Sequence, residues 1–173
     1  ITTYNWKNAL ELAILSVFNQ SYLPVEIIIA DDGSRNDTRD LIKNLSSKSP
    51  IPLIHSWQED KGFRAAKVRN KAIAQAIGNY IIVIDGDMIL HNDFIEDHAK
   101  NAFPGYFVQG TRVLLTKDRT QAFFKTQKLI PYFFNIGLRN RKNAIHSNIL
   151  SLIFSVKLII ERKAWHRSLM FAY

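Results

Sequence analysis

Asp85 and Asp87, with Gly86 between them, close the apolar run "YIIVIDGDMIL" over residues 80–90. A carboxylate buried without a partner is costly. Two of them, one residue apart after a β-prone run, are therefore expected to meet solvent or a ligand. If the segment stays extended, alternate residues point the same way and the two carboxylates share a face. Gly86 lets the backbone approach a ligand closely. Paired carboxylates suit a hard cation, Mg2+ or Mn2+, that also takes phosphate oxygens. An acidic pair is also an ordinary way to end a strand, so the triplet needs company.

Company comes from three other stretches. "TTYN" (2–5) precedes the first helical pattern, and "DDGS" (31–34) follows the apolar run "VEIIIA". "EDKGFRAAKVRN" (59–70) supplies cations. Lys61 and Arg64 fall in a loop, and Lys67 and Arg69 in the first turns of a helix, where the dipole favours anions. For Lys67 and Lys71 a solvated helix face explains the charge equally well.

The elements that must position these residues follow from hydrophobic periodicity. Helices are expected over 8–20, 37–47, 64–77 (closed by Gly78) and 93–102, and strands over 25–30, 52–57, 80–84 and 105–115. Strand and helix alternate with short connections. This predicts an α/β fold with a mostly parallel sheet and helices on both faces. Ligands of such sheets sit at the carboxyl ends of the strands, where "TTYN", "DDGS" and "DGD" all fall.

The chain has 173 residues, 47% of them apolar, and no cysteine. That is enough for one hydrophobic core, and it excludes a disulfide framework or a thiolate metal site. The sequence starts at Ile1, without a signal peptide pattern, and reads as a piece of a longer protein. The net charge of +8 is uneven: residues 1–116 carry 12 Lys/Arg against 13 Asp/Glu (−1), and residues 117–173 carry 11 against 2 (+9). We therefore separate a core over 1–116 from a basic, aromatic, mainly helical segment over 117–173. The run 144–160 is too short and too polar for a membrane span. It suits either an amphipathic helix at an anionic lipid surface or a helix packed on the sheet. Peripheral membrane contact is thus expected through 120–167.

"TTYN", "IIIADDGS", "DKGFRAAKVRNKAI" and "YIIVIDGDMIL", in this order and spacing, resemble family 2 glycosyltransferases of the GT-A fold. The resemblance covers roughly residues 1–116. "GFRAAKVRN" with "DGDM" is most similar to the branch containing chondroitin polymerase and bacterial surface-polysaccharide transferases. It implies a nucleotide-sugar donor, UDP-linked by family habit, and a saccharide or lipid-linked saccharide acceptor. Thr2 and Tyr4 would contact the nucleoside and Asp32 the base. Phe63, Arg64 and Arg69 would line the nucleotide pocket. Asp85 would hold the ribose or assist the metal, and Asp87 would ligate Mn2+ or Mg2+. The reaction implied is a single inverting displacement, and the location implied is cytoplasmic, on the inner face of a bacterial membrane.

Such transferases need a general base for the acceptor hydroxyl. In the family it lies in a Gly/Trp-rich segment ending in Glu-Asp. Residues 117–173 hold only Asp118 and Glu161, outside any such motif. The catalytic base is left unassigned, and these residues alone are expected to bind donor without completing transfer. Three rivals explain less. A haloacid-dehalogenase-type phosphatase needs its D-x-D on an early strand. A nucleotidyltransferase needs an N-terminal Gly-rich phosphate loop. A basic nucleic-acid-binding module would use the tail for phosphate and stacking contacts, but it leaves the acidic triplet without a role.

Overall fold

The computed structural model describes residues 1–105, 107–110, 112–126, 138–140 and 168–169. The chain divides into two compact units, Ile1–Ile95 and Glu96–Tyr173. The change of composition at residue 117 falls inside the second.

In the first unit, strands β1 (Thr2–Thr3), β2 (Ile27–Asp31) and β3 (Leu53–Trp57) form a parallel sheet in that order. Ile29 pairs with His55 and Asp31 with Trp57, while Thr2 pairs with Ala30. Helix α1 (Lys7–Phe18) connects β1 to β2, and α2 (Asn36–Ser46) connects β2 to β3. α3 (Ala65–Gln75) follows β3.

Alternation along β2 sends Ile28 and Ala30 to one face and Ile27, Ile29 and Asp31 to the other. Val68 and Ala72, one turn apart on α3, pack on Ala30 and Ile28. α2 buries Thr38, Ile42 and Leu45 at helical spacing and packs against β3 and α1. Leu10, Ile14, Ile29 and Val68 are fully buried. Each such side chain contributes about 1.5–3 kcal/mol relative to exposure.

Ser16 of α1 and Gln20 just beyond its end fasten the chain that follows the acidic triplet. The Ser16 hydroxyl accepts the Leu90 amide at 3.1 Å, and Gln20 accepts the Ile95 amide while donating to the His91 carbonyl.

The helix expected over 64–77 stops at Gln75. Ala76 is extended, and the Ile77 amide turns to the Glu26 carboxylate at 2.6 Å instead of continuing the helical ladder. The strand expected over 80–84 does not form as a ladder. One parallel bridge, Thr2 with Asp85, joins this segment to the sheet.

In the second unit, the single strand expected over 105–115 is two short ones. β4 (Val108–Gln109) pairs in parallel with β7 (Ser168–Leu169), and β5 (Leu114–Leu115) pairs antiparallel with β6 (Leu138–Arg139). Gly105, at φ +83°, opens the expected run in a left-handed conformation, so pairing starts only at Val108. α4 (Phe94–Lys100) crosses the boundary between units, and α5 (Lys117–Thr126) opens the basic segment. No helix among the described residues is long and apolar enough to cross a membrane. The amphipathic run 144–160 lies outside the described residues.

Candidate donor site at the carboxyl end of the sheet

All eight residues singled out in the sequence, Thr2, Tyr4, Asp32, Phe63, Arg64, Arg69, Asp85 and Asp87, belong to the first unit. They lie where β1, β2 and β3 end. β1 passes beside the acidic triplet: the Thr2 amide donates to the Ile84 carbonyl at 3.0 Å and the Gly86 amide to the Thr2 carbonyl at 2.8 Å. On its other side the Asp32 amide donates to the Thr3 carbonyl at 3.1 Å. "TTYN", "DDGS" and "DGD" are thus brought together by backbone bonds across the strand ends.

The triplet is not extended. The Met88 amide donates to the Asp85 carbonyl at 3.1 Å, which closes a turn over residues 85–88. Alternation along a strand therefore does not decide where Asp85 and Asp87 point. Both are exposed. Gly86 allows the close approach of β1: a Cβ there would lie 2.9 Å from the Thr2 carbonyl oxygen. Arg69 reaches over from α3. Its Nε donates to the Thr2 hydroxyl at 3.3 Å, and its guanidinium stands 3.8 Å from the Asp85 carboxylate. That ion pair is half solvated and contributes little to stability. Its consequence is positional, since it brings a cation beside the acidic pair.

Asp32 is almost fully buried, and the chain itself engages both of its oxygens. Oδ2 accepts the Arg64 backbone amide at 2.7 Å, and Oδ1 accepts the Gln58 side-chain amide at 2.5 Å. Each carboxylate oxygen keeps a further lone pair. Asp32 thereby clamps the turn after β2 to the loop before α3. Arg64 caps α3 with its backbone and donates from its guanidinium to the Glu59 carbonyl. Phe63 projects from this loop with 95% of its surface exposed. Lys61 pairs with Glu59 at 2.8 Å in solvent, and Lys71 donates to the Trp57 carbonyl, so neither is held at the triplet.

Tyr4 is half exposed, and its hydroxyl donates to the Asp60 carboxylate at 2.9 Å. That bond, and the nearby negative charge, push the phenol above its ordinary value, so Tyr4 is neutral here. The neighbouring Asn5 adopts φ +49° and links two loops. Its side-chain oxygen accepts the Arg35 amide, and its own amide donates to the Ser34 hydroxyl.

Asp31, fully buried, organises the turn from beneath. Burial alone would raise its pKa. Hydrogen bonds from His55 and from the Ser34 hydroxyl and amide outweigh burial and hold it below the ordinary carboxylate value. The His55 Nε2–Asp31 Oδ2 distance is 2.8 Å.

The description "Glycosyl transferase family 2" matches residues 1–164. The chain belongs to this family. Two curated relatives from Escherichia coli are similar over about half of the chain. One is a β-1,3-glucosyltransferase described as acting between UDP-Glc and alpha-D-GlcNAc-diphosphoundecaprenol, 37% identical over 87 residues, which are 50% of this chain and 33% of that protein. The other is a chondroitin synthase, 32% identical over 89 residues, 51% of this chain and 13% of that protein. Among solved structures, a mannosyltransferase of Pyrobaculum calidifontis in complex with GDP-Man and Mn2+ shares the fold. The TM-score is 0.56 at 23% identity, over 64% of this chain and 34% of that one. The chain spans about a third or less of the length of these proteins. The α/β fold of GT-A type expected from the sequence is the fold observed.

Within this family-2 domain, sequence reasoning missed His55, Gln58 and Asp60. His55 lies in β3, Gln58 just beyond it, and Asp60 at the head of the loop stretch 59–70, and their roles come from side-chain bonds to Asp31, Asp32 and Tyr4 that no sequence spacing shows. Asn5 carried a usable signal, because Asn tolerates a positive φ better than most residues.

Proposed function

We propose that this family 2 glycosyltransferase chain binds a nucleotide-sugar, a UDP-sugar first, at the carboxyl end of the β1–β3 sheet. The supporting observation is the convergence of Tyr4, Asp32, Arg64, Arg69 and the Asp85–Asp87 pair on that single edge. In this reading the exposed Tyr4 and Phe63 offer ring faces to the nucleoside. Asp32, on its free lone pairs, accepts from a base N–H. Arg64 and Arg69 lie toward the phosphates. The transfer served is an inverting displacement by a hydroxyl of a saccharide or lipid-linked saccharide, in bacterial surface glycan synthesis. The name of the E. coli glucosyltransferase, which carries a lipid-linked GlcNAc, supports that class of acceptor.

The donor set fits a divalent metal. Asp85 and Asp87 are exposed oxygen donors, and no group of three or more His, Asp or Glu side chains stands together among the described residues. Two carboxylates leave most positions open to phosphate oxygens and water, as Mg2+ and Mn2+ sites on nucleotides require. Asp87 would be the direct ligand and Asp85 its neighbour, tempered by Arg69. The metal, when bound, supplies Lewis-acid stabilisation of charge on the departing diphosphate. The chain's own residues orient the base and hold the diphosphate against cationic side chains.

Calorimetric titration of a panel of nucleotide sugars, with Mn2+ and with chelator, tests the reading. Metal-dependent binding of UDP-sugars in preference to free pyrophosphate is expected. No binding of any nucleotide sugar would overturn it. The +9 segment over 117–173 is read as a peripheral contact with anionic lipid near the acceptor, on the cytoplasmic side of the membrane. Co-sedimentation with anionic vesicles, reversed by salt, is expected at about 1 kcal/mol per engaged Lys or Arg.

A further inference from the structure

The pair His55–Asp31 has the look of a catalytic dyad in the wrong place. Asp31 is fully buried. Both residues lie on the sheet face that carries Ile27 and Ile29, beneath the turn rather than in front of it. Ionised Asp31 only accepts hydrogen bonds, so the proton between them resides on His55 Nε2. The other Asp31 oxygen accepts the Ser34 amide at 2.8 Å. The Ser34 hydroxyl accepts the Asn5 amide at 2.9 Å, and the Ser34 carbonyl accepts the Trp57 indole N–H at 3.4 Å. A continuous chain of bonds thus runs from β3 through the end of β2 to the Tyr4–Asn5 segment. Tyr4 and Asp32 each neighbour one of its members in sequence.

We propose that His55 is a positioning residue for the nucleoside half of the donor pocket. Its Nε2–H fixes the Asp31 carboxylate. Asp31 in turn fixes the Ser34 turn and the Asn5 link, and so sets Tyr4 and Asp32 in register with each other. The diphosphate half, at Arg69, Asp85 and Asp87, is built on α3 and the Thr2 bridge and does not depend on this chain of bonds. The inference rests on the nucleotide-sugar reading above.

The test compares His55→Phe with His55→Gln in the full 173-residue chain. Phe fills the space without a donor, and Gln replaces Nε2–H with an amide N–H. UDP and inorganic pyrophosphate are titrated separately in the presence of Mn2+, beside thermal unfolding. His55→Phe is expected to weaken UDP by about tenfold while leaving pyrophosphate within about twofold. His55→Gln is expected to keep UDP within about threefold of the parent. Equal losses for both ligands, or no UDP loss in a folded His55→Phe, would overturn the proposal. If His55→Phe does not fold, His55→Gln decides: retained UDP binding supports the role, and a loss like that expected of Phe overturns it. A parent chain that binds no nucleotide would instead overturn the donor reading itself, and this inference with it.

Discussion

Gly33 and Asp60, 27 positions apart in sequence, meet so closely that a Cβ on Gly33 would lie 2.6 Å from the Asp60 Cα. Gly33 also has φ +95°. The turn after β2 and the loop before α3 thus touch backbone to backbone. Gly62, on the same loop at φ +80°, has nothing within 4 Å of where a Cβ would be. Gly62→Ala is expected to cost about 1–2 kcal/mol, the left-handed strain alone. Gly33→Ala should cost more, because the loop must also move. Urea unfolding of the two variants checks the order, and equal costs would show that the loop yields freely.

Asp32 holds the Arg64 amide and the Gln58 side chain at once. Asp32→Ala takes the acceptor from the part-buried Arg64 amide and leaves the Gln58 side-chain amide only its bond to the Arg64 carbonyl, at a cost of about 1–3 kcal/mol. It should also weaken UDP much more than pyrophosphate. Comparable losses for the two ligands would reassign Asp32 to the phosphates or to structure alone.

Asp87 is exposed at a turn, so Asp87→Ala should leave the thermal midpoint nearly unchanged. The Mn2+-dependent part of UDP binding should vanish. UDP binding that is already indifferent to chelator in the parent chain would remove Asp87 from any metal site.

Asp31 makes stability sensitive to acid. Its folded pKa lies below the ordinary value of 3.8, so the folded state binds fewer protons than the unfolded one. The contribution is complete above that ordinary value and is lost as pH falls through the lower, folded one. Urea midpoints followed from about pH 5 to about pH 2 should fall, and Asp31→Asn should flatten this limb. An unchanged acid limb in Asp31→Asn would assign the pH dependence to other carboxylates.

Much of this was legible before any coordinates. β2, β3 and the helices α1, α2 and α3 lie within two or three residues of where periodicity places them, because each buries a face whose spacing is written in Leu, Ile and Val. Pairing is not written that way. The run "YIIVI" is as β-prone as "VEIII", yet it keeps a single bridge, because a ladder depends on its neighbour as much as on itself. The turn over residues 85–88 was hidden for a related reason: Gly86 announces a close approach but not which group approaches. His55 and Gln58 read as ordinary polar residues: His55 stands opposite Ile29 in the register and reaches Asp31 only diagonally, through its side chain, and Gln58 meets Asp32 just past the paired residues.

The single bridge between Thr2 and Asp85 bears on how the chain behaves in a tube. Ile81 and Val83 are exposed apolar residues in a stretch outside any ladder, beside a strand of two residues. Such a flank invites any extended polypeptide to lie against it, and the most abundant one in a concentrated sample is another copy. The formal charge of +8, carried by residues 117–173, is expected to hold copies apart by repulsion. Salt screens that repulsion while leaving the apolar invitation intact. Colloidal stability and ionic strength are therefore expected to be opposed in this molecule, which light scattering across a salt series would show.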